Sequence, residues 1–170
     1  MEGPIRLMAK DAEDVAVIAS CLQDALVPLA EMRFLKDEQR FVLLLNRFRW
    51  ERANEVDLRA KRDAKGDASY ADAGPGAGNE RVHSGLCVDR VTAVKSRGID
   101  RAKAAKFLNL MTLSLDGQNQ LNLFFSGGGV IQLEIEAPNV FLQDFGEAWP
   151  TQWRPDHAID RRSGDGQAAK

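Results

Sequence analysis

Three β-favouring runs near the C-terminal end constrain the fold more than any other feature of the sequence. They read KFLNLMTLSL, QLNLFF and VIQLEIE, and only DGQN and SGGG separate them. Connections this short join antiparallel neighbours, so the pattern predicts a three-stranded meander. In the last run Ile131, Leu133 and Ile135 alternate with polar residues. One face of this sheet is therefore expected to meet water.

Three glycines, Gly127 to Gly129, raise the question of a phosphate-binding loop. Such loops place glycines before a helix, whose N–H groups hold the phosphate. Here a strand with period two follows, and the lysine and hydroxyl of a P-loop are missing. We therefore predict a tight turn with positive φ, no cofactor, and Leu123 and Phe125 on the same face as residues among Ile131, Leu133 and Ile135.

The N-terminal part of the chain predicts a strand, a helix and a hairpin. IRLMAKD alternates weakly, and Asp11 is a helix N-cap candidate. Val15, Ile18 and Leu22 then form one apolar stripe, which predicts a helix. The runs at residues 27–35 and 40–50 predict a hairpin around KDEQ. Since the second run is apolar on both faces, it is expected to be central or sandwiched under the helix.

Later segments predict a loop, a bulged strand and a short C-terminal helix. Residues 52–82 are rich in Ala, Asp, Gly, Lys and Arg, which favours disorder over a functional loop, although the first half suits a frayed helix. SGLCVDRVTAVKS predicts one strand with a bulge at Asp89 and Arg90. NVFLQDFGEAW predicts a short helical lid that ends at Gly146 and packs on an open end of the sheet through Phe141, Leu142, Phe145 and Trp149. Residues 151–170 are expected to form a disordered tail.

Composition excludes several classes of function. The net charge is −2, the two cysteines are too few for a disulfide framework, and no run is long enough to span a membrane or resembles a signal peptide. We therefore expect a cytoplasmic protein without membrane insertion. The possible zinc ligands Cys21, Cys87, His83 and His157 lack metal-site spacing, so no metal is predicted. Ser84 and Cys87 have no suitably placed base for nucleophilic catalysis.

Two segments are candidates for a binding surface. The first is NRFRWER, in which basic residues alternate with aromatic ones, and the second is the basic segment from Arg90 to Lys106. If the strands that end near Trp50 and Ser96 are neighbours, the basic side chains of the two segments form one ridge. Such a ridge suits an acidic protein partner or a polyanion. A solvated, ion-paired sheet end is the alternative. The candidate binding surface comprises Arg47, Arg49, Trp50, Lys95, Arg97 and Arg101.

The segments LNRFRWE, RVTAVKSRGID, LFFSGGGVIQLEIE, LQDFGEAW and DAEDVAVIASCLQDA also resemble a bacterial family. That family is known only as a domain of unknown function (2948). The resemblance covers most of residues 5–149 and implies a single small domain. It implies no activity, cofactor or catalytic residue.

These observations predict an α+β domain over residues 1–150. Its sheet has about six mostly antiparallel strands, strongly twisted or barrel-like, with an N-terminal helix and a short C-terminal helix. A pleckstrin-homology-like roll is one analogous topology. We expect a non-catalytic binding or adaptor module that uses the basic and aromatic surface. The alternative is a small cytoplasmic enzyme with a polar pocket around His83, Asp89 and Arg97.

Overall fold

The computed structural model describes residues 3–63, 78–102 and 106–155 as an α+β fold. Two helices, α1 (Ala12–Leu22) and α2 (Trp50–Asp63), accompany a ten-stranded sheet. The strands are β1 (Arg6–Ala9), β2 (Ala25–Pro28), β3 (Met32–Leu35), β4 (Arg40–Phe48), β5 (Glu80–Val88), β6 (Val91–Arg97), β7 (Phe107–Asp116), β8 (Gln120–Phe125), β9 (Val130–Ile135) and β10 (Val140–Pro150).

The sheet is antiparallel and does not close into a barrel. Its order is β1-β10-β5-β4-β2-β7-β8-β9-β6, and β3 pairs with β4 beside β2. The prediction of about six strands was therefore wrong. One reason is that the predicted strand 27–35 is divided by a 3₁₀ turn at Leu29–Glu31. Its first part, β2, pairs mainly with β7, while its second part, β3, stays with β4 as half of the predicted hairpin.

Helix α1 forms as predicted and packs against the core side of the sheet. Asp11 accepts a hydrogen bond from the N–H of Asp14 at 2.8 Å, which caps the helix. The stripe Val15, Ile18 and Leu22 is buried in a core that also contains inward-facing residues of β4, β5 and β7 to β10. The opposite side of β4, which we name the convex face, is not covered by α1, since Leu44 is exposed there.

The predicted C-terminal helical lid is instead strand β10, which pairs with β1 and β5. Leu142 and Asp144 are buried on its inner face, whereas Phe145 is exposed. Gly146, expected to stop a helix, has φ +76° at the register shift of this strand. Pairing on both edges satisfies more of the backbone than a short helix would, and it decides the conformation.

The segment predicted as a loop, 52–82, has regular secondary structure at both ends. Helix α2 continues to Asp63, as the frayed-helix alternative suggested, and β5 begins at Glu80. Residues 64–77 lie outside the described residues, as do residues 156–170 of the predicted tail. The start of that tail contacts the fold, because Arg154 pairs with Asp57 of α2 at 2.8 Å.

The predicted bulge at Asp89 and Arg90 is a turn between two strands with different partners. Arg90 has φ +58°, after which the chain leaves β5 and continues as β6 on the opposite edge of the sheet. The glycine turn is confirmed: Gly127 and Gly128 have φ +81° and +87°. Leu123 lies opposite Ile131, both buried in the core. Neither described helix is long and apolar enough to cross a membrane.

Candidate functional site

The convex face of the sheet carries large apolar side chains that nothing in the described structure covers. Side chains alternate between the faces of a strand, so Leu43 and Leu45 of β4 enter the core and Leu44 points away from it. Leu44 is 45% exposed, Phe107 of β7 is 56% exposed, and Phe145 of β10 is 43% exposed.

These three side chains border one groove of about 430 Å³. The 3₁₀ turn between β2 and β3 closes one side, and the middle of β5 contributes to the floor. The residues around the groove are Pro28, Glu31, Leu44, Leu45, Asn46, His83, Phe107 and Phe145. We call this surface the convex groove. Its volume lies within the range of ordinary ligand pockets.

Gly85 of β5 lies between two of the residues that border the convex groove, Leu44 and Phe145. It lies opposite Leu44 on β4 and opposite Gln143 on β10. A Cβ atom at this position would lie 3.7 Å from Cε1 of Phe145 and 3.8 Å from Cδ2 of Leu44. Both are ordinary contact distances, so a larger side chain at this position would occupy the space between those two residues.

An aromatic cluster borders the convex groove. The ring of His83 lies 4.6 Å from the ring of Trp149 and is stacked 6.1 Å from Phe145. Beyond it, Arg81 donates a hydrogen bond from Nη1 to Oδ1 of Asn46 at 3.2 Å. That bond fixes the side chain of Asn46 and directs its amide oxygen toward Arg81. The groove therefore combines apolar and aromatic walls with a polar amide.

A buried ion network lies at one end of the inner face of the same strands. Arg47 is fully buried, and its guanidinium contacts both carboxylate oxygens of Asp144 at 2.8 and 2.7 Å. It also contacts both oxygens of Glu51, while Ser84 donates to Asp144 at 2.6 Å. The network joins β4, β5, β10 and α2, and Asp144 also accepts from the N–H of Ile5.

The network keeps its groups charged. Burial is the largest influence on Asp144 and would raise its pKa, but the hydrogen bonds from Arg47, Ser84 and Ile5 outweigh it and hold the pKa of Asp144 below the usual 3.8. The pKa of Glu51 is lowered against burial by the same guanidinium. Burial likewise opposes the charge of Arg47, yet the two carboxylates raise its pKa.

The structure does not bring the predicted basic ridge together. Among the described residues, strand β4 pairs with β2, β3 and β5, whereas β6 pairs only with β9, so the described parts of the two basic segments lie apart. Lys103 lies outside the described residues. Arg47 is in the ion network, and Arg49 binds Glu80 at 2.6 Å with a side chain that is 12% exposed. Trp50 packs edge-on against Phe48 and donates to the carbonyl of Gln23.

The other half of the predicted ridge lies on and after β6. Lys95 pairs with Glu134 on the neighbouring strand. Arg97 ends β6 opposite Val130. Arg101 follows in the next loop, where its Nη2 lies 3.4 Å from Oγ of Ser96.

The pocket expected around His83, Asp89 and Arg97 does not form either. Asp89 binds Nε of Arg40 at 2.7 Å, and His83 lies in the aromatic cluster. Arg97 is on an edge strand that pairs with neither β4 nor β5. Among the described residues no three His, Cys, Asp or Glu side chains are arranged to hold a metal ion. His157 lies outside them.

Sequence reasoning missed the convex groove, although one signal for it was present. Strand β4 is apolar on both faces, and that pattern was interpreted as burial on both sides. The exposure of Leu44 shows that one of the two faces remains open. Phe107 and Phe145 gave no signal of their own, because their position beside Leu44 follows from strand order alone.

Comparison with known proteins gives one match. A family model described as "Protein of unknown function (DUF2948)" matches residues 5–157. No curated protein and no solved structure matches the chain.

Proposed function

The chain belongs to the DUF2948 family, whose description names no activity, and we propose that it is a non-catalytic binding module whose convex groove holds an apolar segment of a partner protein. The observation that carries the proposal is the convergence of Leu44, Phe107 and Phe145, which come from three strands and are all exposed. Isolated exposed apolar residues are normal, but a contiguous group marks an interaction surface.

The composition of the groove supports a protein partner. Aromatic side chains are enriched at protein interfaces, and His83, Phe145 and Trp149 form a preassembled cluster at this one. Asn46 adds a fixed amide that suits a hydrogen bond to a peptide backbone. Together these groups favour an extended peptide with large side chains that enter the groove on either side of Gly85.

The charge of the groove specifies the partner further. Glu31 is exposed at the border of the groove and forms no ion pair with any residue in the described part of the chain. A lysine or arginine in the bound segment would pair with it at moderate gain, because the site is open to solvent. The proposed partner segment therefore has two large apolar residues and one basic residue.

The geometry favours this function over the enzymatic alternative. His83 contacts aromatic rings, and Asp89 is engaged by Arg40. A general acid or base must lie within hydrogen-bond reach of its reacting partners, and these two residues with Arg97 do not converge on one space.

A displayed library of random peptides tests the proposal. The wild-type protein is expected to enrich peptides with paired apolar or aromatic residues and a nearby Lys or Arg. Gly85→Val is expected to abolish that enrichment, because the valine side chain would occupy the space between Leu44 and Phe145, while the fold is retained since valine favours strands. Leu58→Ser is the surface control, because Leu58 on α2 is a large apolar residue that is 57% exposed and lies outside the groove.

Charge reversal at the groove provides the second arm. Glu31→Lys is expected to shift the enriched peptides from basic to acidic while the apolar positions are kept. The proposal fails if the wild type enriches no motif, or if folded Gly85→Val enriches the same peptides as the wild type.

A further inference from the structure

A second cleft lies where the sheet fails to close. Within the described part of the chain, strand β3 pairs only with β4 and β6 pairs only with β9, so each has one edge without a described partner strand. The start of β6 stays near the β3–β4 turn, because Val91 donates to the carbonyl of Gln39 at 2.8 Å. Beyond that contact the two strands border a cleft of about 360 Å³. We call it the edge cleft.

The edge cleft leads into the core rather than onto the convex face. Phe41 and Ile131 on its walls are core residues, buried in the main apolar cluster. Met32, Phe34 and Val94 pack partly buried against that cluster and also border the cleft. A ligand in this space would therefore contact apolar side chains that water now reaches.

A cation lies at the entrance of this apolar space. Arg101 borders the cleft together with Ser96, and its side chain is exposed. The guanidinium of Arg101 lies 3.4 Å from the hydroxyl of Ser96, and no carboxylate among the described residues pairs with Arg101. Arg97, only four residues earlier, is not among the cleft residues.

From this arrangement we infer that the edge cleft binds a single-chain alkyl carboxylate, with the alkyl chain among Met32, Phe34 and Val94 and the carboxylate on Arg101. Apolar walls with one convergent cation match an amphiphile with an anionic head. The planar guanidinium pairs with a carboxylate through two parallel hydrogen bonds. The site is separate from the convex groove and does not depend on its proposed function.

Titration of the full-length protein with hexanoate, octanoate and decanoate tests the inference. Calorimetry is expected to show affinity rising about fourfold for each added methylene, since each buried methylene contributes about 0.8 kcal/mol. Decanol and decyltrimethylammonium carry the same chain without the anionic head, and both should bind more weakly than decanoate. Equal binding of decanol and decanoate would overturn the assignment of Arg101.

Variants on the two sides of the entrance locate the ligand. Arg101→Ala is expected to weaken decanoate about fivefold and leave decanol unchanged, whereas Arg97→Ala should change neither. Ser96→Phe should occlude the cleft, and Thr92→Phe, on the same strand outside the cleft, should not.

Chemical shifts on the wild-type protein give a readout that needs no variant. Decanoate should perturb amides of β3, β6 and residues 98–102 in a ¹⁵N–¹H spectrum. Absence of any decanoate binding, perturbations centred on Leu44 and Phe107, or equal effects of the two arginine variants would overturn the inference.

Discussion

At the scale of single residues, we expect substitutions of Arg47 or Asp144 to affect stability strongly. Both are buried, and each satisfies the other through two hydrogen bonds. Removing one member of a buried ion pair leaves the other charge buried without a partner. The resulting loss of stability is larger than the net stability that the intact pair contributes. Glu51 provides partial compensation because it contacts the same guanidinium.

Asp144→Asn is expected to lower the free energy of unfolding by about 3 kcal/mol, because the guanidinium of Arg47 stays buried beside a neutral amide. Urea denaturation at neutral pH measures the change. Glu134→Gln is the matched control, since it breaks the exposed Lys95–Glu134 pair and should cost less than about 1 kcal/mol. Similar losses in the two variants would show that the buried network adds no special stability.

The same network predicts a pH dependence. The pKa of Asp144 is lower in the folded protein than its usual 3.8, so its contribution to stability is fully present above that value and is lost as the pH falls through the folded pKa. The stability difference between wild type and Asp144→Asn should therefore shrink as the pH drops below about 4. Urea titrations of both proteins from pH 7 to 3 measure it. A constant difference would contradict the lowered pKa.

At the scale of elements, the glycine turn between β8 and β9 sets the pairing of the C-terminal meander. Gly127 and Gly128 both have left-handed φ, and a Cβ at either position would meet no atom within 4 Å. Any cost of alanine here is therefore conformational rather than steric. Gly98 differs, because its Cβ would lie 2.9 Å from the carbonyl oxygen of Gly128.

Gly127→Ala is expected to lower the free energy of unfolding by about 1 kcal/mol, because alanine is strained at φ +81°. Gly98→Ala should cost more, since it adds a backbone clash to the same strain. Gly3→Ala has neither problem and serves as the control. Thermal melts rank the three variants, and a Gly127→Ala protein as stable as the Gly3→Ala control would contradict the argument.

Strand β10 shows why hydrophobic periodicity predicts the wrong secondary structure for a strand that carries apolar residues on both faces. Phe141, Leu142 and Phe145 follow helical spacing in the sequence. In the structure Leu142 enters the core, while Phe141 and Phe145 lie on the convex face. Because the convex face is also apolar, the strand loses the polar alternation that normally identifies it.

At the scale of the whole molecule, the path of the sheet predicts where stability is concentrated. Strands β4 and β5 are paired along both edges, and their Leu43 and Leu86 are buried. Strands β3 and β6 each have one edge that no described strand pairs with, and both border the edge cleft. Local opening requires fewer broken contacts at an edge than in the centre.

Hydrogen exchange followed by mass spectrometry should therefore show the slowest exchange in β4 and β5 and faster exchange in β3 and β6. Binding of decanoate should slow exchange in β3 and β6 selectively, whereas a peptide in the convex groove should slow exchange in β7 and β10. Protection of β6 equal to that of β4 in the free protein would contradict the open-edge topology.

The sequence by itself determined the local elements whose signals are local. Asp11 with its following stripe specified α1, and SGGG between two apolar runs specified the turn and meander. Helix capping, hydrophobic periodicity and turn chemistry act over a few residues, so they can be recognised in the sequence without knowledge of the fold.

Tertiary structure alone decided the two candidate sites and the fate of the basic residues. Arg47 can be buried because Asp144 neutralises its charge. Asp144 lies 97 residues away in the chain, and only the strand order, which places β10 two strands from β4, brings the two side chains together. The convex groove unites β4, β7 and β10, and the edge cleft exists because β3 and β6 remain unpaired toward each other. Strand order is set by the burial of the entire core, a sum over distant residues that no local pattern contains.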